Sequence, residues 1–158
     1  MALPTLPAGE DAPRLLLTML ARHRVHVRRW RRSMSGMAWN APGPDGPLTR
    51  WIEAPRPRSS LSWSIVLHEV GHHALGIGRF SPRCLEEYHA WRWSLEAMDS
   101  MGISIDDRVR QRVRDSLHYA IDKARRRGIA SLPAELERFL RGENDGGTVE
   151  TVPPSVGG

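Results

Sequence analysis

Residues 60–76, SLSWSIVLHEVGHHALG, decide the fold of this chain. Four apolar side chains in this stretch recur at the spacing of one helix face: Leu61, Ile65, Val66 and Val70. We therefore predict a helix from about Leu61 to Leu75, with Ser59 or Ser60 as its cap and Gly76 at its end. The polar residues in the middle of this apolar helix are the first candidates for function.

Residues 68–72 of that helix read His-Glu-Val-Gly-His. Side chains four positions apart lie on one helix face, so His68 and His72 can both bind one cation. Glu69 lies about 100° round the helix axis from His68, where its carboxylate can reach a water on the metal without binding the metal itself. This pattern predicts one zinc ion and Glu69 as the catalytic base. Glycine is costly inside a helix, so we expect another helix to approach closely at Gly71.

A catalytic zinc site needs a third protein ligand and one open position. The nearest downstream candidates are Glu86, Glu87 and His89, early in a helix that we predict to start at Ser81-Pro82. Side chains two positions apart point about 200° apart on a helix, so only one of Glu87 and His89 can face the metal. The small side chain of Ala90 shares a stripe with Glu87 and would let the two helices approach. Glu87 is favoured, with His89 and Glu86 as alternatives.

The sequence His68-Glu69-Val70-Gly71-His72, followed by Glu87-Tyr88-His89-Ala90, resembles gluzincin-type HExxH zincins, in particular the ImmA/IrrE-like metallopeptidases of phages and mobile elements. The resemblance covers roughly residues 48 to 100. It implies that the second segment supplies Glu87 as third ligand and that an edge strand near Trp51–Ala54 lies beside the active-site helix. Trp91 and Trp93-Ser94 depart from the family, which usually has Asp or Asn and then Phe-Ala there. These positions therefore do not predict the usual polar contact to a ligand histidine.

We expect the substrate to be a cytoplasmic protein or peptide, and the resemblance implies a regulatory protein. An extended peptide could pair with the edge strand by strand addition. Peptide hydrolysis also needs a donor for the developing negative charge, and three residues are candidates: Tyr88, His118 and Tyr119.

Two other functions remain open. A non-catalytic zinc-containing module that binds protein or DNA would use the same histidines and close the site with a fourth protein ligand. A protease similar to the SprT-like zincins, which act near DNA, would use His89 as its third ligand.

The expected architecture is α+β: a minimal zincin-like domain over residues 1–142, mostly helical with a small sheet, and a disordered tail over residues 143–158. Two short runs on either side of NAPGPDGP, between Ser35 and Pro57, predict a hairpin or two edge strands. Four further helices are predicted: 13 to about 27, Ser81-Pro82 to about Met101, a helix with a capping box at Ser104–Asp107 that ends at Gly128, and 131 to about 140.

The 158-residue chain has a net charge of +5, one cysteine and 40% hydrophobic residues. These values are typical of a single soluble domain and exclude an intrachain disulfide. No apolar run is long enough to cross a bilayer, and the first 24 residues lack the pattern of a signal peptide. We therefore expect a cytoplasmic protein without a membrane partner.

Arginines crowd one segment around Trp30, the Arg22–Arg32 cluster: Arg22, Arg24, Arg28, Arg29, Arg31 and Arg32. Such a cluster can contact the phosphates of nucleic acid. A charge run of this kind is also typical of a solvated surface that keeps a protein soluble. The solvated surface is the favoured interpretation, and a nucleic-acid partner is the less favoured one.

Overall fold

The computed structural model describes residues 11–43 and 46–143, and these residues form five helices and one three-stranded mixed sheet, an α+β fold as predicted. The elements in chain order are α1 (Asp11–His23), β1 (Val25–Arg31), β2 (Met37–Pro42), β3 (Leu48–Pro55), α2 (Ser60–Leu75), α3 (Arg83–Ser100), α4 (Asp107–Arg126) and α5 (Ala134–Leu140). The predicted disordered tail lies, apart from Glu143, outside the described residues.

Helix α2 is the centre of the fold, and its predicted bounds are confirmed. Ser59 caps it: the Ser59 side chain accepts from the Ser62 backbone N–H, and the Ser62 side chain accepts from the Ser59 N–H. Gly76, at a φ of 94°, follows its last residue. Thirteen of the sixteen α2 residues are buried, because the sheet covers one side of the helix and α3 and α4 cover others.

The sheet has the strand order β1-β3-β2. Strands β2 and β3 pair antiparallel, which confirms the predicted hairpin. The prediction that Trp51–Ala54 forms an edge strand is wrong, because β3 also pairs with β1, in parallel, on its other side. Ile52 and Ala54 of this central strand are fully buried in the core that also contains α2 residues. The edge strand beside α2 is therefore β2.

The prediction of a first helix reaching residue 27 is also wrong. Helix α1 ends at His23 because Arg24 adopts a left-handed conformation, with a φ of 55°, and turns the chain into β1. Val25 is buried and Val27 and Trp30 pack against the same core, while the arginines of this strand lie toward solvent. A segment with apolar side chains toward the core and arginines toward solvent suits a half-buried strand better than another helical turn.

Three predicted helix starts need correction. No side chain caps α3, since the extended backbone of Pro82 takes the cap position instead of Ser81. The cap of helix α4 lies two residues after the predicted one, because the Asp106 carboxylate accepts from the Val109 N–H at 3.0 Å and takes the role assigned to Ser104. Helix α5 begins at Ala134, after Pro133, rather than at residue 131. No helix within the described ranges is long and apolar enough to cross a membrane.

Helices α2 and α3 pack closely at Gly71, as predicted. A Cβ atom at Gly71 would lie 3.0 Å from the Trp93 ring and 3.1 Å from the Ala90 carbonyl oxygen. Farther along the same contact, the buried Ser94 hydroxyl donates to the Ser64 carbonyl at 2.7 Å. Small side chains and this hydrogen bond keep the two helices close enough for their polar side chains to meet.

Gly71→Val should lower the free energy of unfolding by about 1–3 kcal/mol, because the added carbons would force α2 and α3 apart. Valine has a higher intrinsic helix propensity than glycine, so a loss of stability must come from the contact between α2 and α3. Urea denaturation followed by circular dichroism measures the change, with Ala21→Val on the exposed side of α1 as the matched control. A Gly71→Val protein as stable as the parent would contradict the close packing.

Candidate metal centre

Three side chains from two helices converge on one point. His68 and His72 project from successive turns of α2, and Glu87 projects from the first part of α3. The two histidine Nε2 atoms lie 3.2 Å apart. Glu87 Oε2 is 3.1 Å from His68 Nε2, and Glu87 Oε1 is 3.4 Å from His72 Nε2. Among the residues that the structure describes, these three form the group whose ligand atoms could hold a metal ion.

The spacing of these atoms fits a shared cation. Two ligands of a tetrahedral zinc ion lie about 3.3 Å apart when each bond to the metal is about 2.0–2.1 Å long. The three observed separations, 3.1, 3.2 and 3.4 Å, lie close to that value. Two imidazoles and one carboxylate suit zinc, and other divalent metals accept the same set. The group can therefore bind a metal ion, and the donor set alone does not select which one.

The protonation states of the group also suit a cation. Burial raises the pKa of the Glu87 carboxyl, but the hydrogen bond with His68 and the charges of His68, His72 and Arg83 outweigh burial and bring that pKa down to about 2. Burial, followed by the charge of His68, lowers the pKa of His72 to about 3. Metal ligands must be ionised carboxylates or neutral imidazoles, so Glu87 and His72 are in the ligand form at neutral pH.

Glu86, one of the alternative third ligands, lies behind His72 rather than beside the other ligand atoms. Its fully buried carboxylate accepts from the Gly78 N–H at 2.5 Å and from the Arg83 guanidinium. Its Oε2 lies 3.4 Å from His72 Nδ1, an ion-pair distance rather than a well-formed hydrogen bond. A carboxylate on the far ring nitrogen of a ligand histidine orients the ring. Glu86 is placed for that supporting role.

His89, the other alternative, is outside the group. Its ring stacks on Phe80 with the centroids 4.1 Å apart. His73, beside the second ligand in sequence, also points elsewhere: its Nε2–H donates to the Trp51 carbonyl at 2.9 Å and ties α2 to β3. The structure thus brings together His68, His72 and Glu87 and leaves the remaining histidines of α2 and α3 in packing or bracing contacts.

Trp91 occupies the position after Ala90, where the resemblance would place a polar residue. Its ring stacks on His68, with centroids 4.0 Å apart and an angle of 22° between the planes. His68 Nδ1 and Trp91 Nε1 are both buried without a hydrogen-bond partner among the described residues. The indole therefore fixes the orientation of the His68 ring by stacking, in place of the polar contact that Asp or Asn could give.

Glu69 lies next to the three convergent side chains and is almost fully buried, with 6% of its surface exposed. Burial raises the pKa of Glu69 to about 7; the charge of His68 lowers that pKa and the charge of Glu87 raises it. The backbone of Gly36, in the loop between β1 and β2, lies close against this carboxylate. A Cβ atom at Gly36 would lie 2.6 Å from Glu69 Oε1. Glu69 is therefore held in place and can exchange a proton near neutral pH.

A cleft of about 930 Å³ opens onto this centre. The start of β2, at Met37 and Ala38, lies along one side, and α4 supplies much of the lining on another. Residues from α4 and its C-terminal end that line the cleft are Arg112, Asp115, Ser116, Tyr119, Ala120, Lys123, Ala124 and Arg127. Arg112 also donates to the Met34 carbonyl at 2.5 Å and so joins α4 to the loop that carries Gly36.

Of the three candidate donors for negative charge, only Tyr119 lines this cleft. Tyr88 packs in a second core cluster and contacts the His89 ring. His118 packs against Phe139, with ring centroids 5.1 Å apart.

Two further residues at the centre were not predicted from the sequence. Arg83 contacts both Glu86 and Glu87, the latter at 3.0 Å. Arg83 precedes these two glutamates by three and four positions on α3, and this spacing could have predicted the ion pairs. Gly36 has no such signal, because it precedes Glu69 by thirty-three positions and meets it only through the fold.

Comparison of this chain with known protein families, with curated proteins and with solved structures finds no match. The resemblance to gluzincin-type peptidases therefore stays a prediction from the sequence, carried by residues 68–72 and 87–90.

Glu87→Ala should remove metal binding, whereas His89→Ala should leave it intact, because only Glu87 reaches the two histidines. We expect Glu87→Ala to weaken zinc binding by more than the roughly 10–100-fold that loss of a supporting contact costs. Metal content by mass spectrometry and competition with a chromophoric chelator measure both variants, with circular dichroism as the check on folding. The reverse pattern would assign the third ligand to His89.

Proposed function

We propose that this protein is a zinc-dependent metallopeptidase that hydrolyses a peptide bond in a cytoplasmic protein. The observation that carries the proposal is the position of Glu69. It is a buried carboxylate with a pKa near 7, next to three side chains whose ligand atoms converge within 4.8 Å of one another. Two imidazoles, one carboxylate and an adjacent free carboxylate are the set that metal-assisted hydrolysis requires.

Zinc held by this group would act as a Lewis acid that polarises the scissile carbonyl and makes water more acidic. His68, His72 and Glu87 would hold the ion, and Glu86 and Trp91 would keep the two imidazoles in orientation. Glu69 takes a proton from the attacking water as the new C–O bond forms, and passes it to the leaving amine as the C–N bond breaks. Tyr119, the candidate donor that lines the cleft, would stabilise negative charge on the carbonyl oxygen.

The shape of the cleft supports an extended peptide as substrate. Strand β2 is an edge of the sheet, and its first residues, Met37 and Ala38, line the cleft. An edge strand offers unpaired backbone N–H and C=O groups, so a peptide could add to β2 and pass over Glu69 and the metal ligands. Strand addition is therefore expected at β2, because β3 is paired on both sides. A regulatory protein remains the substrate that the family resemblance implies.

The two alternatives differ from this proposal in specific residues. A non-catalytic zinc module would need a fourth protein ligand, whereas the candidate group within the described ranges has three members and faces a cleft. A protease similar to the SprT-like zincins would need His89, whose ring stacks on Phe80. Both alternatives therefore have less support than a catalytic site with His68, His72 and Glu87.

Glu69→Gln should abolish peptide hydrolysis, with a rate loss of roughly 10²–10⁴, and should leave zinc bound, because the amide cannot take a proton and Glu69 is not a ligand. The measurement is cleavage of a proteome-derived peptide library, read by mass spectrometry, together with the zinc content of both proteins. Full activity in the variant would refute the proposed mechanism. Absence of cleavage by the zinc-loaded parent would favour the non-catalytic module.

Gly36→Ala should lower hydrolysis by about 10²-fold while zinc stays bound, because the new methyl group would displace the Glu69 carboxylate from its position. Ser33→Ala, an exposed change in the same loop, is the matched control and should keep the parental rate. The ratio of the two rates at equal zinc content gives the effect. Equal rates would show that the loop does not position Glu69.

A further inference from the structure

The outer face of the sheet carries a row of aromatic rings. His26 on β1, Trp51 on β3 and Trp39 on β2 are partners in the strand register, so their side chains lie side by side across all three strands. The His26 and Trp51 ring centroids are 5.3 Å apart. Both indoles are only half-buried. Helices α1 and α2 share a core with the opposite face, at Ile52 and Ala54.

A row of arginines lies next to these rings. Arg28, Arg29 and Arg31 all contact the buried Glu53 carboxylate, at 3.2, 3.2 and 2.9 Å. The irregularity between Val27 and Arg29 in β1 places both Arg28 and Arg29 opposite this one carboxylate. One negative charge thus meets three positive charges. The Arg28 and Arg29 side chains remain 69% and 68% exposed, so their guanidinium groups are oriented and still open to another anion.

The two indoles and the three arginines border one open groove of about 690 Å³, which they line together with Met37 and Glu53. Three more exposed arginines lie along the same chain segment: Arg22, Arg24 and Arg32. The positive charge of the Arg22–Arg32 cluster thus lies beside a row of aromatic side chains, a combination that the sequence did not reveal because the rings come from three separate strands.

We propose that this face binds single-stranded nucleic acid. Bases would stack on Trp39 and Trp51, and phosphates would contact Arg28 and Arg29. Stacking on side-chain rings requires bases that are not already paired, so a single strand fits this face better than a duplex. An acidic peptide would match the arginines and leave the rings unused. The proposal does not depend on peptidase activity, because the residues that would stack on bases or contact phosphates, Trp39, Trp51, Arg28 and Arg29, do not line the cleft of the metal centre.

The first test compares two ligands that carry equal charge. The zinc-loaded full chain should bind a fluorescein-labelled oligothymidylate of about 12 nucleotides roughly tenfold more tightly than an abasic strand of the same length, as measured by fluorescence anisotropy in 50 mM salt. The oligothymidylate should also bind more tightly than its duplex with oligoadenylate and than polyglutamate. Equal binding of the abasic strand, the duplex or polyglutamate, or no binding at all, would overturn the proposal.

The second test uses variants of the exposed residues. Arg28→Ala/Arg29→Ala should weaken binding of the oligothymidylate about tenfold or more and should reduce the dependence of log K on log salt by roughly 1.4, about 0.7 for each lost phosphate contact. Arg125→Ala/Arg126→Ala in the last turn of α4 is the charge-matched control and should bind as the parent does. Trp39→Ala should weaken binding roughly tenfold, and Trp39→Phe should restore most of it. Equal losses in the two arginine pairs would refute the assigned face.

Discussion

The close contact between α2 and α3 is the constraint on which the site depends. Side chains on two helices can bring their ligand atoms to within 3.1–3.4 Å only if the backbones approach closely, and Gly71 and Ala90 allow that approach. The same contact between α2 and α3 buries Glu86, His68 and His72 in the protein interior. Buried polar groups are costly unless they are paired. Arg83 and the Gly78 N–H pair with Glu86. A cation could compensate the convergent donors of His68, His72 and Glu87 in the same way.

Much of the helical architecture follows from local sequence. The apolar spacing of α2, its serine cap and Gly76 predict both of its ends, and turn residues predict the β2–β3 hairpin. Strand β1 could not be found in this way, because its arginines obscure the alternation of apolar residues and its bulge interrupts the period of two. Its pairing with β3 joins residues about twenty-five positions apart, so the central position of β3 depends on a contact that no local pattern records.

The candidate site likewise has a part that local sequence predicts and a part that depends on contacts between distant segments. His68, Glu69, His72 and Glu87 follow from helix geometry, since their positions depend on angles within α2 and on one short turn between helices. Trp91 departs from the family pattern in the sequence itself, but its stacking on His68 becomes visible only with both helices in place. Gly36 belongs to a loop that is far from Glu69 in sequence, and a glycine has no side chain whose chemistry could indicate a role in the site. The candidate ligands are predictable from local sequence here, whereas the contacts that hold them in place are products of tertiary structure.

The hydrogen bond from Arg112 to the Met34 carbonyl has a consequence for the order in which the protein is built. The three convergent donors lie within the twenty positions from 68 to 87 and come from two adjacent helices. The loop over Glu69 is fastened by a residue of α4, which leaves the ribosome later. The candidate ligands are therefore synthesised before the arginine that fastens the loop over Glu69, and the enclosure of Glu69 needs α4 to be docked.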